Sequence, residues 1–236
     1  MTDKERSQIE RMFDAIAFRY DCVNRLLSLR RDVAWRKAMA CALPRKPDLR
    51  ILDLAAGTGD VAMTLLKKCR TIEHIIGADV SLQMLRHAQK KQGRAKVSDA
   101  VSFVQADAAA LCWAGNTFDV VTVAFGVRNF TELGIGLSEI HRVLRPRGYA
   151  IILEFSMPEN PLVRAAYLLY FRHILPRVGG LISRQPDAYR YLNRSVEAFP
   201  CGQDFCGLLL KAGLVSVQAQ PLTCGIATLY IAQKPV

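Results

Sequence analysis

Ile51-Leu52-Asp53-Leu54-Ala55-Ala56-Gly57-Thr58-Gly59-Asp60 decides the fold. Apolar residues run into one acid and then into small residues, and Val61-Ala62-Met63-Thr64-Leu65-Leu66 follows with helical character. The order is that of a buried strand, a tight turn and a helix start. Gly57 and Gly59 suit the turn because glycine, lacking a Cβ, takes positive φ freely and lets a ligand approach the main chain. The helix behind the turn aims unpaired N–H groups and the positive end of its dipole at the occupant. A nucleotide-like ligand is therefore expected.

Gly57-Thr58-Gly59-Asp60-Val61-Ala62 also satisfies the loose G-x-G-x-x-A form of the dinucleotide fingerprint. Asp79, closing the apolar strand Ile75-Ile76-Gly77-Ala78, suits the vicinal ribose hydroxyls of either a nicotinamide cofactor or S-adenosylmethionine. Asp53 separates the two. A carboxylate at the mouth of the turn repels a pyrophosphate but suits a ligand carrying an ammonium and a sulfonium. Its plainer role is to bond the turn's backbone, and both roles can hold together.

Outward from this stretch, strands at 51–54, 74–79, 101–105, 118–124 and 149–155 alternate with helices at 60–68, 81–91 and 132–144, the second opening on Ser81 as N-cap. Such alternation gives a parallel sheet wrapped by helices on both faces. Strands 214–219 and 226–233, joined through Pro221 to Gly225, finish it as an antiparallel hairpin. The expected fold is α/β and Rossmann-like, of the class I S-adenosylmethionine-dependent methyltransferase type, with a mostly parallel seven-stranded sheet. Arg145-Pro146-Arg147-Gly148 is expected to stop the preceding helix by removing a donor and supplying a glycine. Residues 7–43 are expected to be helical, with Phe13, Ile16, Ala17, Tyr20, Val23, Leu26 and Leu27 on one apolar face and Trp35 to Met39 in a further helix. They make residues 1–47 a cap, and 157–198 a helical cover over the substrate, within one domain of residues 1–236.

The chain is 51% hydrophobic, enough for one core, and no apolar run is long enough to span a bilayer. The charged start Met1-Thr2-Asp3-Lys4-Glu5-Arg6 is not a secretory signal, so a cytoplasmic location is expected. Seven scattered cysteines, none spaced C-x-x-C, and four dispersed histidines (74, 87, 141, 173) argue against disulfides and metal sites, and no metal is expected. A net charge of +11 points to nucleic acid or to an anionic membrane face. No RNA-recognition motif, stacking platform or Asn-Pro-Pro-Tyr base pocket accompanies it, which weighs against nucleic acid. Residues 160–195 hold arginines 164, 172, 177, 184, 190 and 194 against one acid, Asp187.

In an open α/β sheet, ligands bind at the carboxyl ends of the strands. Those ends carry Asp53, Asp79, Asp107-Ala108, Phe125-Gly126-Val127-Arg128-Asn129 and Glu154. Asp107 offers an acceptor for an exocyclic amine and Ala108 leaves room for an adenine ring, although an Asx turn explains the pair equally well. Arg128 and Asn129 place a guanidinium and a carboxamide at the expected site of transfer. A permanent cation there can stabilise an oxyanion or hold a proton-shuttling water. The plainer role for Arg128 is a salt bridge to Asp14, Asp21 or Asp32 of the cap. Glu154 is either a packed, hydrogen-bonded acid or a member of the site.

With these residues in place, the chain resembles the ubiquinone/menaquinone biosynthesis C-methyltransferase family almost end to end. The resemblance rests on Phe13-Asp14-x-Ile16-Ala17-x-x-Tyr20-Asp21, Asn24, Trp35-Arg36, Leu52 to Asp60, Asp79-x-Ser81-x-x-Met84-Leu85, Phe125-Gly126-Val127-Arg128-Asn129, Leu153-Glu154-Phe155-Ser156 and Tyr189-x-Tyr191-Leu192. It implies a cofactor site at Thr58, Asp79, Asp107 and Ala108, to which the turn adds Asp53, Gly57 and Gly59. S-Adenosylmethionine is the implied cofactor and a prenylated quinol the substrate, demethylmenaquinol foremost. A 2-methoxy-6-polyprenyl-benzoquinol or another small phenol is the alternative.

Arg128, Asn129 and Tyr20 are the expected catalytic residues, orienting the quinol oxygen or an intervening water. The apolar residues of 160–182 are expected to hold the isoprenoid tail and to meet anionic lipid transiently. No nucleic-acid partner is expected, and a homodimer is one open arrangement. Two departures from the family pattern stand out: Pro146-Arg147-Gly148 in place of proline and two glycines, and Leu111-Cys112-Trp113 in place of Leu-Pro-Phe.

Overall fold

The computed structural model describes residues 14, 20–95, 100–174, 177 and 186–236. Seven strands form one sheet: β1 (Leu49–Leu54), β2 (Ile72–Asp79), β3 (Val101–Gln105), β4 (Phe118–Ala124), β5 (Leu144–Phe155), β6 (Val215–Leu222) and β7 (Ala227–Gln233). Their order is β3-β2-β1-β4-β5-β7-β6. The first five pair in parallel, and β7 runs antiparallel between β5 and β6. The parallel sheet with its terminal antiparallel hairpin is the one the sequence leads to.

Burial on both faces follows from side-chain alternation along the strands. Ile51, Val120, Ile151 and Leu153 pack on one side with Trp35 and Met39 of α2 (Arg31–Cys41) and Leu65 of α3 (Asp60–Lys68). Leu52, Val121, Val123 and Ile152 pack on the other with Leu137 and Ile140 of α5 (Leu133–Val143) and Phe205 and Leu209 of α8 (Gln203–Lys211). The remaining helices are α1 (Tyr20–Leu27), α4 (Leu82–Ala95), α6 (Pro161–Leu169) and α7 (Pro186–Ala198). The Oγ of Ser81 accepts from the Met84 N–H at 3.1 Å, capping α4 as expected.

Three local expectations give way to packing. Leu29 and Arg30 take φ of 49° and 62° and separate α1 from α2, so the further helix read from Trp35 begins already at Arg31. Leu26, expected on the buried stripe, is 49% exposed, and Phe13, Ile16 and Ala17 lie outside the described residues. Residues 145–148 do not form a stop before the strand. The Leu144 cap of α5 is already extended, and β5 starts there with an irregular register opposite β4. Arg147, not a glycine, takes the positive φ of 63°, while Gly148 is needed because a Cβ would lie 2.8 Å from the Arg145 carbonyl oxygen. At the hairpin, Pro221 stays in β6 opposite Thr228, and the turn is Thr223-Cys224-Gly225, all with positive φ.

Candidate active site

The strand order reverses between the paired neighbours β1 and β4, and a crevice opens beyond their carboxyl ends. Both strands leave the sheet through a non-glycine residue in the left-handed region, Ala55 at φ 55° and Phe125 at φ 57°. A left-handed residue costs about 1–2 kcal/mol, so packing holds both in place. Gly126 shows how: a Cβ on it would stand 2.4 Å from that of Ala55. The two glycines of the first turn differ in use. A Cβ on Gly59 (φ 77°) would meet the Phe103 ring at 2.9 Å, whereas Gly57 (φ 54°) faces open space. That space is a cleft open to solvent, with Ala55, Thr58, Phe125, Asn24 and Arg36 among its walls.

Asp53 lies under this turn, 1% exposed. Its Oδ1 accepts from the Thr122 hydroxyl at 2.8 Å, and its Oδ2 has no partner among the described residues. Desolvation pushes its pKa up to about 7, against the opposing hydrogen bond from Thr122. Asp79 takes the Gly57 N–H on Oδ2 and the Ser81 N–H on Oδ1, each at 2.8 Å, so it ties the turn to the start of α4. Burial raises its pKa too, with those N–H groups working against the rise. Asp107 accepts from the Ala109 N–H at 2.9 Å, an Asx turn, and Ala108 is buried beside it.

A charged clasp joins the cap to the turn. Asp21 of α1 accepts from the Thr58 hydroxyl and from Lys91 of α4, both at 2.5 Å. Lys91 also reaches Asp60 at 2.6 Å, as do Arg25 at 3.3 Å and Arg36 at 3.1 Å. Desolvation would raise the Asp60 pKa, but Lys91 and Arg36 hold it below the usual carboxylate range. Asp32, Arg36 and Asn24, which face this cleft, are absent from the set of site residues inferred from sequence. The Trp35-Arg36 pair and Asn24 carried the signal within the resemblance strings.

Arg128 stands in a single 3₁₀ turn, Val127–Asn129, after β4. Its ion-pair partner is Glu154 at the end of β5, not an acid of the cap: Nη1 to Oε1 is 2.7 Å, with side chains 5% and 0% exposed. The Arg128 Nη1 also donates to the Phe125 carbonyl at 2.5 Å, and the guanidinium lies 5.5 Å from the centre of the Phe155 ring. Among the described residues its Nε is buried without a partner, as is the hydroxyl of Tyr167 in α6. Asn129 accepts on Oδ1 from the Tyr191 hydroxyl of α7 at 3.0 Å. Burial pushes the Tyr167 and Tyr191 phenols up, so both stay protonated donors at neutral pH. Tyr20 belongs to α1, but its side chain lies outside the described residues.

On α6, Leu162 and Leu169 are 81% and 62% exposed, while Tyr167 turns inward and stacks at 4.9 Å on Phe171 of the π-helical turn that follows, Tyr170–Ile174. Leu175, Val178, Leu181 and Ile182 lie outside the described residues. Among the described residues no helix is long and apolar enough to cross a membrane.

The chain resembles known proteins over nearly its whole length. The chain is 39% identical over 232 residues to the demethylmenaquinone methyltransferase of Bacteroides fragilis, covering 98% of this chain and 94% of the relative. It is 45% identical over 223 residues to the ubiquinone/menaquinone biosynthesis C-methyltransferase of Syntrophotalea carbinolica, covering 93% and 91%. An S-adenosylmethionine-dependent methyltransferase of Thermotoga maritima superposes with a TM-score of 0.68, covering 95% of this chain and 99% of the other at 17% identity, a likeness of fold alone. The model of the ubiE/COQ5 methyltransferase family matches residues 1–234, and the chain belongs to that family of methyltransferases.

Proposed function

We propose that this protein transfers a methyl group from S-adenosylmethionine to a ring carbon of a prenylated quinol, demethylmenaquinol foremost. The carrying observation is the pairing of an open glycine turn above Asp53, whose Oδ2 has no partner among the described residues, with a buried cation, Arg128, one strand away. The residues suit the donor: Asp53 and Gly57 would receive its amino-acid end, Thr58 would line the turn, and Asp79 would accept from its ribose. Asp107 and Ala108 would hold its adenine. When bound, the donor supplies an electrophilic methyl on a sulfonium.

The chain's own residues prepare the acceptor. A quinol ring carbon ortho to a hydroxyl becomes nucleophilic as that hydroxyl gives its proton to a held water. The methylated carbon then loses its own hydrogen to water as a proton, restoring the aromatic ring. A fixed cation beside the oxygen favours the ionised form. Arg128 supplies the cation, and Glu154 fixes its plane. Asn129, oriented by Tyr191, and Tyr20 position the oxygen or its water. Alignment and exclusion of water account for the rest of the acceleration. Residues 1–47 act as a cap and 157–198 as a cover within one methyltransferase domain. The cover guides the isoprenoid tail, and the outward leucines of α6 beside the exposed Arg164 and Arg172 touch anionic lipid from the cytoplasmic side.

The names of the relatives support the quinol. The double name of the Syntrophotalea relative keeps a benzoquinol of the ubiquinone route as the second substrate reading. Labelled S-adenosylmethionine with a panel of demethylated naphthoquinols and benzoquinols tests the proposal. Label in the naphthoquinol is the expected result, and label in neither class would overturn it. Flotation with anionic against neutral liposomes tests the membrane contact, which fails if binding ignores lipid charge.

A further inference from the structure

The cleft above Gly57 has an uneven charge pattern. Among the described lining residues are three carboxylates, Asp21, Asp32 and Asp60, and one cation, Arg36. Lys91 and Arg25 neutralise Asp21 and Asp60 without themselves lining the cleft. Arg36 is different. It reaches the cleft with a side chain only 10% exposed, anchored on Asp32 at 2.5 Å and Asp60 at 3.1 Å. Both pairs fall on a single nitrogen, Nη2. A guanidinium carries five N–H donors in a fixed fork, and two contacts on one nitrogen do not exhaust them.

A zwitterionic amino-acid group entering this cleft meets acids suited to its ammonium almost everywhere. Among the described lining residues its carboxylate finds a matching cation at Arg36, beside the start of the nine-residue helix α3, whose dipole favours the same charge. We propose that Arg36 is the carboxylate anchor of this cleft, fixing the amino-acid end of S-adenosylmethionine by a charge-assisted contact while the carboxylates of the cleft wall face the ammonium. The inference rests on the methyl-donor reading above and adds to it the residue that selects an intact α-amino acid. Asp32 and Asp60 hold the guanidinium at the cleft wall in advance, so little side-chain freedom is lost when the ligand arrives.

Decarboxylated S-adenosylmethionine, which lacks only the carboxylate, is the direct probe. Isothermal titration calorimetry of the full chain is expected to show it binding about 10- to 100-fold more weakly than S-adenosylmethionine, the range of one hydrogen bond to a charged group. Arg36→Gln, checked for folding by circular dichroism, is expected to bind both compounds alike, and Arg36→Lys to restore part of the difference. Equal affinity of the unaltered protein for the two compounds overturns the assignment without needing a variant. So does undiminished discrimination by folded Arg36→Gln. Should the unaltered protein bind neither compound nor S-adenosylhomocysteine, the methyl-donor reading falls as well, which separates the two failures.

Discussion

Arg128 and Glu154 form an ion pair of 2.7 Å closed off from solvent, joining the loop after β4 to the end of β5. Breaking one side of such a pair leaves a charge buried without compensation, a cost of about 3–5 kcal/mol. Glu154→Gln should lose stability on that scale in urea unfolding and should lower turnover by loosening the guanidinium. The double variant Arg128→Met/Glu154→Met should regain most of the stability and none of the turnover. A stable double variant that still methylates would show the pair to be scaffolding only.

Asp53 makes stability depend on pH with a definite sign. Its folded pKa of about 7 stands above the ordinary carboxylate value, so the folded state holds the proton more tightly than the unfolded chain. This contribution is fully present below about pH 4 and is lost as pH rises through 7, on the order of 4 kcal/mol in all. Urea melts at pH 5 and pH 8 should therefore fall more steeply in the native protein than in Asp53→Asn. Binding of S-adenosylmethionine should run the other way, strengthening from pH 5 to 7 in the native protein as the carboxylate ionises and staying flat in the variant.

Gly126 has an ordinary φ of −117°, so Gly126→Ala carries no backbone penalty, yet its Cβ would collide with Ala55. Overpacking costs about 1–3 kcal/mol, and here the loop that must move is the floor of the cleft. Donor affinity by calorimetry should drop along with the melting temperature. Unchanged affinity would mean that the Ala55 loop does not shape the binding site.

Tyr191→Phe removes one hydrogen bond, to Asn129, while keeping the ring. If Asn129 positions the acceptor, kcat should fall about 5-fold, the equivalent of roughly 1 kcal/mol, with donor affinity unchanged. A loss of stability without any change in kcat would leave the contact a packing feature.

Arg147 occupies a left-handed conformation that glycine accepts without strain. Arg147→Gly should stabilise the protein by about 1 kcal/mol, raising Tm by about 2–4 °C in a chain of this size, with no effect on turnover. The Pro146-Arg147-Gly148 departure is thus a stability matter.

The strand, turn and helix of residues 51–66 and the run of parallel strands were legible in the residues themselves, because burial on both faces demands continuous apolar strands and the turn demands glycine. The sequence also brought Asp53, Gly57, Thr58, Gly59 and Asp79 to one place, since each ends a strand or lies in the turn beside it. Only tertiary structure decided the partner of Arg128. Glu154 lies on the adjacent strand β5, and which strands become neighbours is set by packing over the whole sheet rather than by local pattern. The same holds for Arg36, drawn to Asp60 by the docking of α2 against α3, and for the positive φ of Ala55, Phe125 and Arg147. Local preference opposes those conformations, and contacts far away in sequence impose them.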